Sequence, residues 1–398
     1  MSNVRKPTAL VVSAVVPYPP IGGGEKRTLR LLEAIERCGA NPYLISTGSP
    51  EDGARAALRE RGVELEFVPV PPTTIPRRLH QHFRRRPSPY VPALASRLAA
   101  LVAERRPAFV QFEHTQNAYY FHAVHGLPVV LSLHNVDSEM VHSLARAHRP
   151  GSLAWLRLRN RLHSMRISER RAARAADAVL CVSDHDAASF AGVADRVLLV
   201  PNGVDDEFFA IDPRLPASES VLFFGKYDYE PNVLGIARFL RHGWPLVASR
   251  RPHARLRLVG AAMPGWLASE AGASERVEVA GVVDRMDLEL ARSSAVVVPI
   301  WHGAGTRLKL LEALAAARPI VGTPLGVGNL GFEHERHGLV ADSPAGLASA
   351  VIRLLEHPVL GMELAAQGRR LADRYRWIAV TRPAEELYRE WIEQALKV

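Results

Sequence analysis

Short runs of β-branched and other apolar residues alternate with amphipathic helical segments along nearly the whole chain. The first series comprises "ALVVSAVV", "PYLIS", "FVQFEH", "PVVLSLH", "AVLCVS" and "RVLLVPNGV". A polar, proline-bearing stretch at 210–220 interrupts it, and the pattern restarts with "VLFFG", "RLRLVG", "RVEVAG", "AVVVPI" and "PIVGT". Because this alternation is typical of parallel sheets with helices on both faces, the sequence predicts an α/β fold of two doubly wound, Rossmann-like domains facing a central cleft.

The length of the chain supports the same division. A chain of 398 residues suits two domains of roughly 200 residues each. We predict an N-terminal domain at 1–205, a C-terminal domain at 206–376, and a closing helix at 377–398 that packs back on the first domain. The apolar face of that helix would carry Leu387, Trp391 and Leu396. Ligands of such folds bind outside the carboxyl ends of the strands.

The composition limits the cellular locations and the classes of binding partner that this protein is expected to have. The formal charge is +9, but the basic residues are spread along the chain and form no recognised nucleic-acid-binding module, so no nucleic-acid partner is expected. Cys38 and Cys181 read as free thiols, and no apolar run is long enough to span a bilayer, which predicts a cytoplasmic protein. The arginine-rich segments 77–87 and 155–176 predict solvated faces, or a peripheral contact with the inner membrane face.

The first strand ends in a glycine-rich turn. Gly22, Gly23 and Gly24 lead into a helix with Lys26 in its first turn. Exposed amides at a helix start favour an anion such as a diphosphate, while a flexible turn with a solvated lysine is the alternative. Arg27 occupies the place of the magnesium-binding Ser or Thr of a P-loop, and also that of the third glycine of a dinucleotide fingerprint.

The stretch "WHGAGTRLKLLEALAAARPIVGT" joins a strand, a loop of small residues and a helix. Arg307 and Lys309 would lie near the loop, and the Glu312 carboxylate could accept hydrogen bonds from a ribose diol. The alternative for Glu312 is a helix-surface acid that pairs with a nearby base. The chain has five lysines against forty-five arginines, and Lys26, Lys226 and Lys309 all fall at predicted cleft loops.

Two histidines follow predicted strands. His114 ends "FVQFEH" and His134 ends "PVVLSLH". Either could donate to a sugar hydroxyl or a phosphate, and either could be a loop histidine bonded within the protein. The acids of "SDHD" at 183–186 are explained by a helix start capped by Ser183, so they predict no metal site.

Four segments in this order resemble the GT-B glycosyltransferases of family 4, which are retaining enzymes that use nucleotide sugars. These segments are "PNGVD" at 201–205, "VLFFGKYDYEPN" at 221–232, "VEVAGVV" at 277–283 and "GAGTRLKLLEALAAARPIV" at 303–321. The resemblance implies that the first domain binds the acceptor and the second the donor. It also implies donor contacts that include the ribose at Glu312, the diphosphate at Lys226 and the basic 306–309 segment, the base at Val282 and Val283, and the sugar at His134. The full set of implied donor-binding residues is Gly22, Gly23, Gly24, Lys226, Val282, Val283, Gly305, Thr306, Arg307, Lys309 and Glu312, with His134, Lys226 and Arg307 as catalytic residues and Lys26 and His114 as acceptor-side candidates.

The chain departs from this family at two positions. Ala304 stands where members usually carry a glutamate that contacts the donor sugar, and Pro231 and Asn232 lie where a second lysine is often found. Arg307 and Lys309 would replace the missing cation, and neither a metal nor another cofactor is expected. The predicted reaction is transfer from a nucleotide sugar, with a UDP-sugar slightly favoured, to a hydroxyl of a growing glycan, a lipid-linked sugar or a small natural product. The alternative is a catalytically silent GT-B subunit or scaffold, or a pseudo-glycosyltransferase that binds a nucleotide sugar.

Overall fold

The computed structural model describes residues 6–71, 90–146, 148–303, 308–328 and 330–397. The strands in chain order are β1 (Thr8–Ser13), β2 (Asn41–Ser46), β3 (Glu64–Phe67), β4 (Phe109–Glu113), β5 (Val129–Ser132), β6 (Ala178–Cys181), β7 (Val197–Leu199), β8 (Ser220–Phe224), β9 (Arg255–Val259), β10 (Val277–Gly281), β11 (Ala295–Val298), β12 (Ile320–Gly322) and β13 (Leu339–Val340).

Helices alternate with these strands along the chain. The α-helices are α1 (Gly23–Arg37), α2 (Ala54–Glu60), α3 (Pro92–Arg105), α4 (Asp137–Arg146), α5 (Leu153–Ala175), α6 (Asp184–Phe190), α7 (Asp206–Phe209), α8 (Glu230–His242), α9 (Trp244–Arg250), α10 (Gly265–Ala273), α11 (Met286–Ala291), α12 (Leu308–Ala315), α13 (Pro324–Val327), α14 (Pro344–Glu356), α15 (Pro358–Asp373), α16 (Trp377–Val380) and α17 (Arg382–Leu396). A 3₁₀ helix covers Thr115–Ala123.

The chain divides into two compact units. Unit 1 comprises residues 1–202 and 380–398, and unit 2 comprises residues 203–379. The sequence analysis placed these divisions after residues 205 and 376.

Unit 1 is built on a parallel sheet. Its described strands lie in the order β3-β2-β1-β4-β5-β6-β7. The register places Val11 beside Leu44 of β2 and beside Gln111 of β4. The strand order reverses between β1 and β4, and in doubly wound sheets such a switch point is where ligands bind at the carboxyl ends of the strands.

Unit 2 repeats the same topology. Its described strands are parallel and lie in the order β10-β9-β8-β11-β12-β13. Here the switch point lies between β8 and β11, where Val221 pairs with Ala295. The loops that follow these two strands therefore meet at the carboxyl edge of the sheet.

Alternate residues of each central strand enter cores on opposite faces of the sheet, because successive side chains of a strand point to opposite sides. In β1, Leu10 packs in one core and Val11 in the other. In β8, Phe223 and Phe224 separate in the same way. Burial on both faces explains why these strands read as continuous apolar runs.

The predicted closing helix consists of two helices, α16 and α17. In α17, Leu387 and Trp391 are buried in a core of unit 1, and Tyr388 stacks on Phe109 of β4 with ring centroids 5.0 Å apart. The prediction that Leu396 belongs to the buried face is wrong, since that side chain is 56 % exposed at the end of the helix. The α17 helix thereby packs on one face of the unit 1 sheet, in contact with β4.

Candidate active site

The glycine-rich turn after β1 forms the start of α1, as the sequence predicts. Gly22 is the N-cap residue, and its carbonyl accepts a hydrogen bond from the Lys26 amide at 3.0 Å. A Cβ on Gly24 would lie 3.0 Å from Nδ1 of His134. Such a contact is tighter than side chains normally adopt, so glycine at position 24 lets the turn and the His134 imidazole pack against each other.

His134 is paired with a buried carboxylate. Its Nε2 lies 2.6 Å from Oε2 of Glu113, the last residue of β4. Glu113 is fully buried and also accepts a hydrogen bond from the Gln111 side-chain amide at 2.5 Å. Burial opposes ionisation of this carboxyl, but the hydrogen bond from His134 and the charge of Arg27 help to hold the pKa of Glu113 below its usual value.

Arg27 is a fully buried cation that acts electrostatically on Glu113. Its Nη1 donates to the Val200 carbonyl at 2.5 Å, whereas Nε and Nη2 find no hydrogen-bond partner among the described residues. Complete burial lowers the pKa of this guanidinium, and the negative charge of Glu113 acts in the opposite direction. Arg27 therefore contributes electrostatically to the Glu113 site, which explains why a long cation occupies a helical position where a phosphate-binding motif would need a small residue.

The acceptor-side candidates lie at the same edge of unit 1. The ring centroid of His114 is 3.8 Å from that of His134, and its φ of 65° places it in the left-handed region that most side chains avoid. Burial lowers the pKa of His114 to about 4, so its imidazole is neutral at neutral pH. Lys26 is half-buried in the first turn of α1.

Unit 2 gathers two lysines at the carboxyl end of β8. Lys309 Nζ donates to Oδ1 of Asn232 at 2.6 Å, and Asn232 Nδ2 donates to the Lys226 carbonyl at 2.7 Å. The Lys309 ammonium also lies 4.5 Å from the ring centroid of Phe223, the position of a cation–π contact. Asn232 thus holds the side chain of one lysine against the main chain of the other, while the Lys226 side chain is exposed.

Glycines allow the strand ends of unit 2 to approach this pair closely. A Cβ on Gly225 would lie 2.8 Å from Lys309 Nζ, and a Cβ on Gly260 would lie 1.9 Å from the Gly225 carbonyl oxygen. Gly260 also donates to the Gly281 carbonyl at 2.7 Å, which ties the end of β9 to the end of β10. Val282 and Val283 follow directly, Val282 with 74 % of its surface exposed and Val283 half-buried.

Glu312 occupies the middle of α12 and is buried, 9 % exposed, among buried neighbours on the same helix. It is therefore not an acid on a solvated helix surface. On the same helix, Leu311 and Leu314 are buried and Leu308 is half-buried. The predicted contacts at Gly305, Thr306 and Arg307, and the departure at Ala304, lie outside the described residues.

Two family models divide the chain in agreement with the two units. The model described as Glycosyltransferase Family 4 matches residues 21–208, and the model described as Glycosyl transferases group 1 matches residues 218–357. Together they span most of the chain and include both sites described above. The chain carries a Glycosyltransferase Family 4 domain followed by a Glycosyl transferases group 1 domain. The resemblance noted from its motifs is thereby confirmed.

Solved glycosyltransferases share the fold over nearly the full length. HepE from Anabaena, in complex with UDP, is 15 % identical with a TM-score of 0.69 over 96 % of this chain and 99 % of that chain. Sucrose-phosphate synthase from Thermosynechococcus elongatus is 19 % identical with a TM-score of 0.71, over 97 % and 100 %. WaaG, a glycosyltransferase involved in lipopolysaccharide biosynthesis, is 18 % identical with a TM-score of 0.65, over 95 % and 99 %. The predicted fold class of two Rossmann-like α/β domains is confirmed.

Curated relatives match half of this glycosyltransferase chain. The phosphatidyl-myo-inositol mannosyltransferase of Mycolicibacterium smegmatis is 29 % identical over 208 residues, covering 50 % of this chain and 53 % of that protein. A GDP-mannose-dependent α-(1-6)-phosphatidylinositol monomannoside mannosyltransferase of Mycobacterium tuberculosis is 27 % identical over 227 residues, covering 50 % and 58 %. The chain thus spans about half the length of the curated relatives that it matches. None of the helices in the described part of the chain is long and apolar enough to cross a membrane.

The structure adds residues that the sequence analysis did not select. Glu113 and Gln111 are polar side chains inside a buried parallel strand, and such a position is a usable signal because charged residues are rarely buried without a partner. In the sequence, Asn232 stands out only because it lies where family members often carry a second lysine. Its bond to Lys309 joins positions separated by 77 residues, and no local pattern reports such a contact.

Proposed function

We propose that this protein is a retaining glycosyltransferase that moves a sugar from a nucleotide diphosphate sugar to a hydroxyl acceptor. The observation that carries the proposal is the Lys226–Asn232–Lys309 arrangement at the carboxyl edge of unit 2. The helix that provides Lys309 also bears buried Glu312. The pair of lysines suits a diphosphate, and the carboxylate suits a ribose diol.

The chemistry follows from where charge develops. As the bond between the anomeric carbon and the diphosphate breaks, negative charge grows on the leaving group, and preorganised cations stabilise that charge more in the transition state than in the ground state. Lys309, fixed by Asn232, supplies one such cation, and Lys226 supplies another. Arg307 is proposed as a third, and Val282 and Val283 as the contacts to the base. The family mechanism implies that the acceptor hydroxyl attacks from the leaving-group side, which retains the anomeric configuration.

Unit 1 would supply the contacts to sugar and acceptor. The turn at Gly22, Gly23 and Gly24 would expose main-chain amides to the substrate, and His134 packs against this turn at Gly24. We assign His134 to a substrate hydroxyl, with Lys26 and His114 on the acceptor side. The neutral His114 imidazole suits a hydrogen bond to a hydroxyl better than the neutralisation of a phosphate.

The relatives differ in the nucleotide that their names record. UDP remains slightly favoured, and a solved relative of the same fold is described in complex with UDP, whereas curated relatives are named as GDP-mannose-dependent. The test is therefore a screen of UDP- and GDP-sugars in the presence of EDTA, with release of the nucleoside diphosphate and the anomeric proton of the product as readouts. Transfer with retention supports the proposal. Inversion, or a strict requirement for added metal, would contradict it.

The alternative of a nucleotide-sugar-binding subunit without turnover rests on Ala304, which replaces the glutamate expected near the donor sugar. It predicts nucleotide binding with no release of diphosphate from any donor. Restoring the carboxylate by Ala304→Glu separates the two functions. A silent chain that gains turnover in this variant would favour the alternative, whereas turnover by the unaltered chain excludes it.

We further propose a cytoplasmic location with a peripheral contact at an anionic membrane face. On α5, Leu153 and Leu156 are exposed, and Arg159 stacks on Trp155. The other basic segment, 77–87, lies outside the described residues. The affinity for phosphatidylglycerol vesicles, measured by sedimentation, should fall at least about 30-fold in the Arg159→Glu/Arg170→Glu double variant, because each of the two lost charges contributes about 1 kcal/mol near such a surface and the new carboxylates are repelled. Arg250→Glu, on an exposed residue of unit 2, serves as the control, and equal binding by all three proteins would contradict the contact.

A further inference from the structure

Only one of the two ring nitrogens of His134 has a hydrogen-bond partner among the described residues. Nε2 is bonded to Glu113, while Nδ1 is buried and has no hydrogen-bond partner among the described residues. The side chain as a whole is 8 % exposed, and Nδ1 lies at the glycine turn, 3.0 Å from where a Cβ on Gly24 would be. A buried polar atom without a partner is costly, which favours a ligand group as its missing partner.

Glu113 is oriented by a chain of buried hydrogen bonds. The Tyr388 hydroxyl donates to Oε1 of Gln111 at 2.5 Å, and Nε2 of Gln111 donates to Oε1 of Glu113 at 2.5 Å. An ionised carboxylate only accepts hydrogen bonds, so the Gln111 amide must turn its NH₂ group toward Glu113 and its oxygen toward Tyr388. The stacking of Tyr388 on Phe109 fixes the Tyr388 end of this series of hydrogen bonds.

We propose that Glu113 is a positioning residue that fixes His134 as the Nε2–H tautomer, so that its Nδ1 lone pair accepts a hydrogen bond from a substrate hydroxyl. The inference rests on the proposed transferase function. With Oε1 of Glu113 committed to Gln111, Oε2 accepts the Nε2 proton, and the opposite tautomer would set two acceptors against each other. The hydroxyl belongs to the donor sugar or to the acceptor, which share this chemistry.

The hydrogen bonds that run from Tyr388 through Gln111 to Glu113 predict the effect of Glu113→Gln. The oxygen of the new amide must face the NH₂ group of Gln111, which leaves the new NH₂ group facing Nε2 of His134. Nε2 of His134 must then accept a hydrogen bond, so the ring proton moves to Nδ1. Nδ1 thereby changes from a hydrogen-bond acceptor for the ligand into a donor. The substitution preserves size and reverses the hydrogen-bonding role of the histidine toward its ligand.

The experiment combines imidazole ¹⁵N spectra with steady-state kinetics. His134 is assigned with a His134→Gln sample, and spectra are recorded where its ring is neutral. We expect the Nε2–H tautomer in the unaltered protein, the Nδ1–H tautomer in Glu113→Gln, and a fall in kcat of about 10- to 100-fold, the range of one lost hydrogen bond to a substrate. A higher KM for the donor or for the acceptor assigns the hydroxyl. Affinity for the free nucleoside diphosphate should not change, because its proposed contacts lie in unit 2.

A second variant keeps the test valid if Glu113→Gln folds poorly. Tyr388→Phe preserves the stack on Phe109 but frees the Gln111 amide to rotate, so we expect a mixture of tautomers and a smaller loss of kcat. Tyr43→Phe, which loses a comparable hydrogen bond to Glu66 on neighbouring strands, is the matched control and should behave as the unaltered protein.

Three results overturn the inference. They are an Nδ1–H tautomer of His134 in the unaltered protein, an unswitched tautomer in Glu113→Gln, and a tautomer switch with unchanged kcat and KM. A failure of the proposed function looks different, because the switch would then occur in a protein that transfers no sugar from any donor.

Discussion

Replacing Lys309 by methionine is expected to lower kcat about 100- to 1,000-fold. Methionine keeps the length and the contact with Phe223 but removes the charge that Asn232 holds in place. Loss of one preorganised group that stabilises developing negative charge has effects of this size in enzymes. Release of nucleoside diphosphate from the preferred donor, measured under saturation, gives kcat directly.

A matched lysine variant shows whether the effect belongs to this position. Lys6→Met removes an exposed lysine near Glu36 in unit 1 and should leave kcat unchanged. Asn232→Ala should reproduce part of the Lys309→Met loss, because the ammonium remains but its anchor is gone. If Lys309→Met retains kcat within about threefold of the unaltered protein, Lys309 is not the cation that stabilises the leaving group.

Replacing Glu312 by alanine is expected to weaken nucleoside diphosphate binding on the order of 100-fold. A carboxylate that accepts two ribose hydroxyls makes charge-assisted hydrogen bonds, each worth about 1.5–3 kcal/mol. The Glu312→Gln variant keeps an acceptor oxygen, so its affinity for the nucleoside diphosphate should lie between those of the unaltered protein and Glu312→Ala. Calorimetric titration with the preferred nucleoside diphosphate measures all three proteins.

The 2′-deoxy form of the same nucleotide makes this test specific for the ribose. The unaltered protein should prefer the ribonucleotide, whereas Glu312→Ala should bind the two forms almost equally. Glu363→Ala, on an exposed position of α15, controls for the loss of an acid elsewhere in unit 2. A Glu312→Ala protein that still prefers the ribonucleotide would show that the carboxylate does not hold the diol.

Much of the fold could be predicted because apolar strands buried on both faces leave a continuous signal in the sequence. The runs around Val11 and Phe223 predict their strands, and Ser183 caps α6 by accepting a hydrogen bond from the Asp186 amide, as expected. The end of the chain was harder to predict. Helical periodicity alone does not report where a helix leaves its core, so the exposure of Leu396 was missed.

The sites were predictable only where one segment carries the chemistry. The glycine turn at Gly24 and the carboxylate of Glu312 sit in local motifs, so the sequence identifies them as candidates. The partners that give those groups their geometry come from elsewhere in the chain. Glu113 meets His134 across neighbouring strands, and Asn232 meets Lys309 from another helix. Such contacts depend on the strand order of the sheet, which no local spacing contains.

The central claim is that the carboxyl edge of unit 2 binds the nucleotide of a sugar donor through cationic side chains and Glu312. Its most direct test is calorimetric titration of the unaltered protein with UDP, GDP, dTDP and ADP in the presence of EDTA. We predict micromolar binding of one of the four, with heat that depends on Glu312. Binding of none of them, in a protein shown to be folded, would contradict the claim.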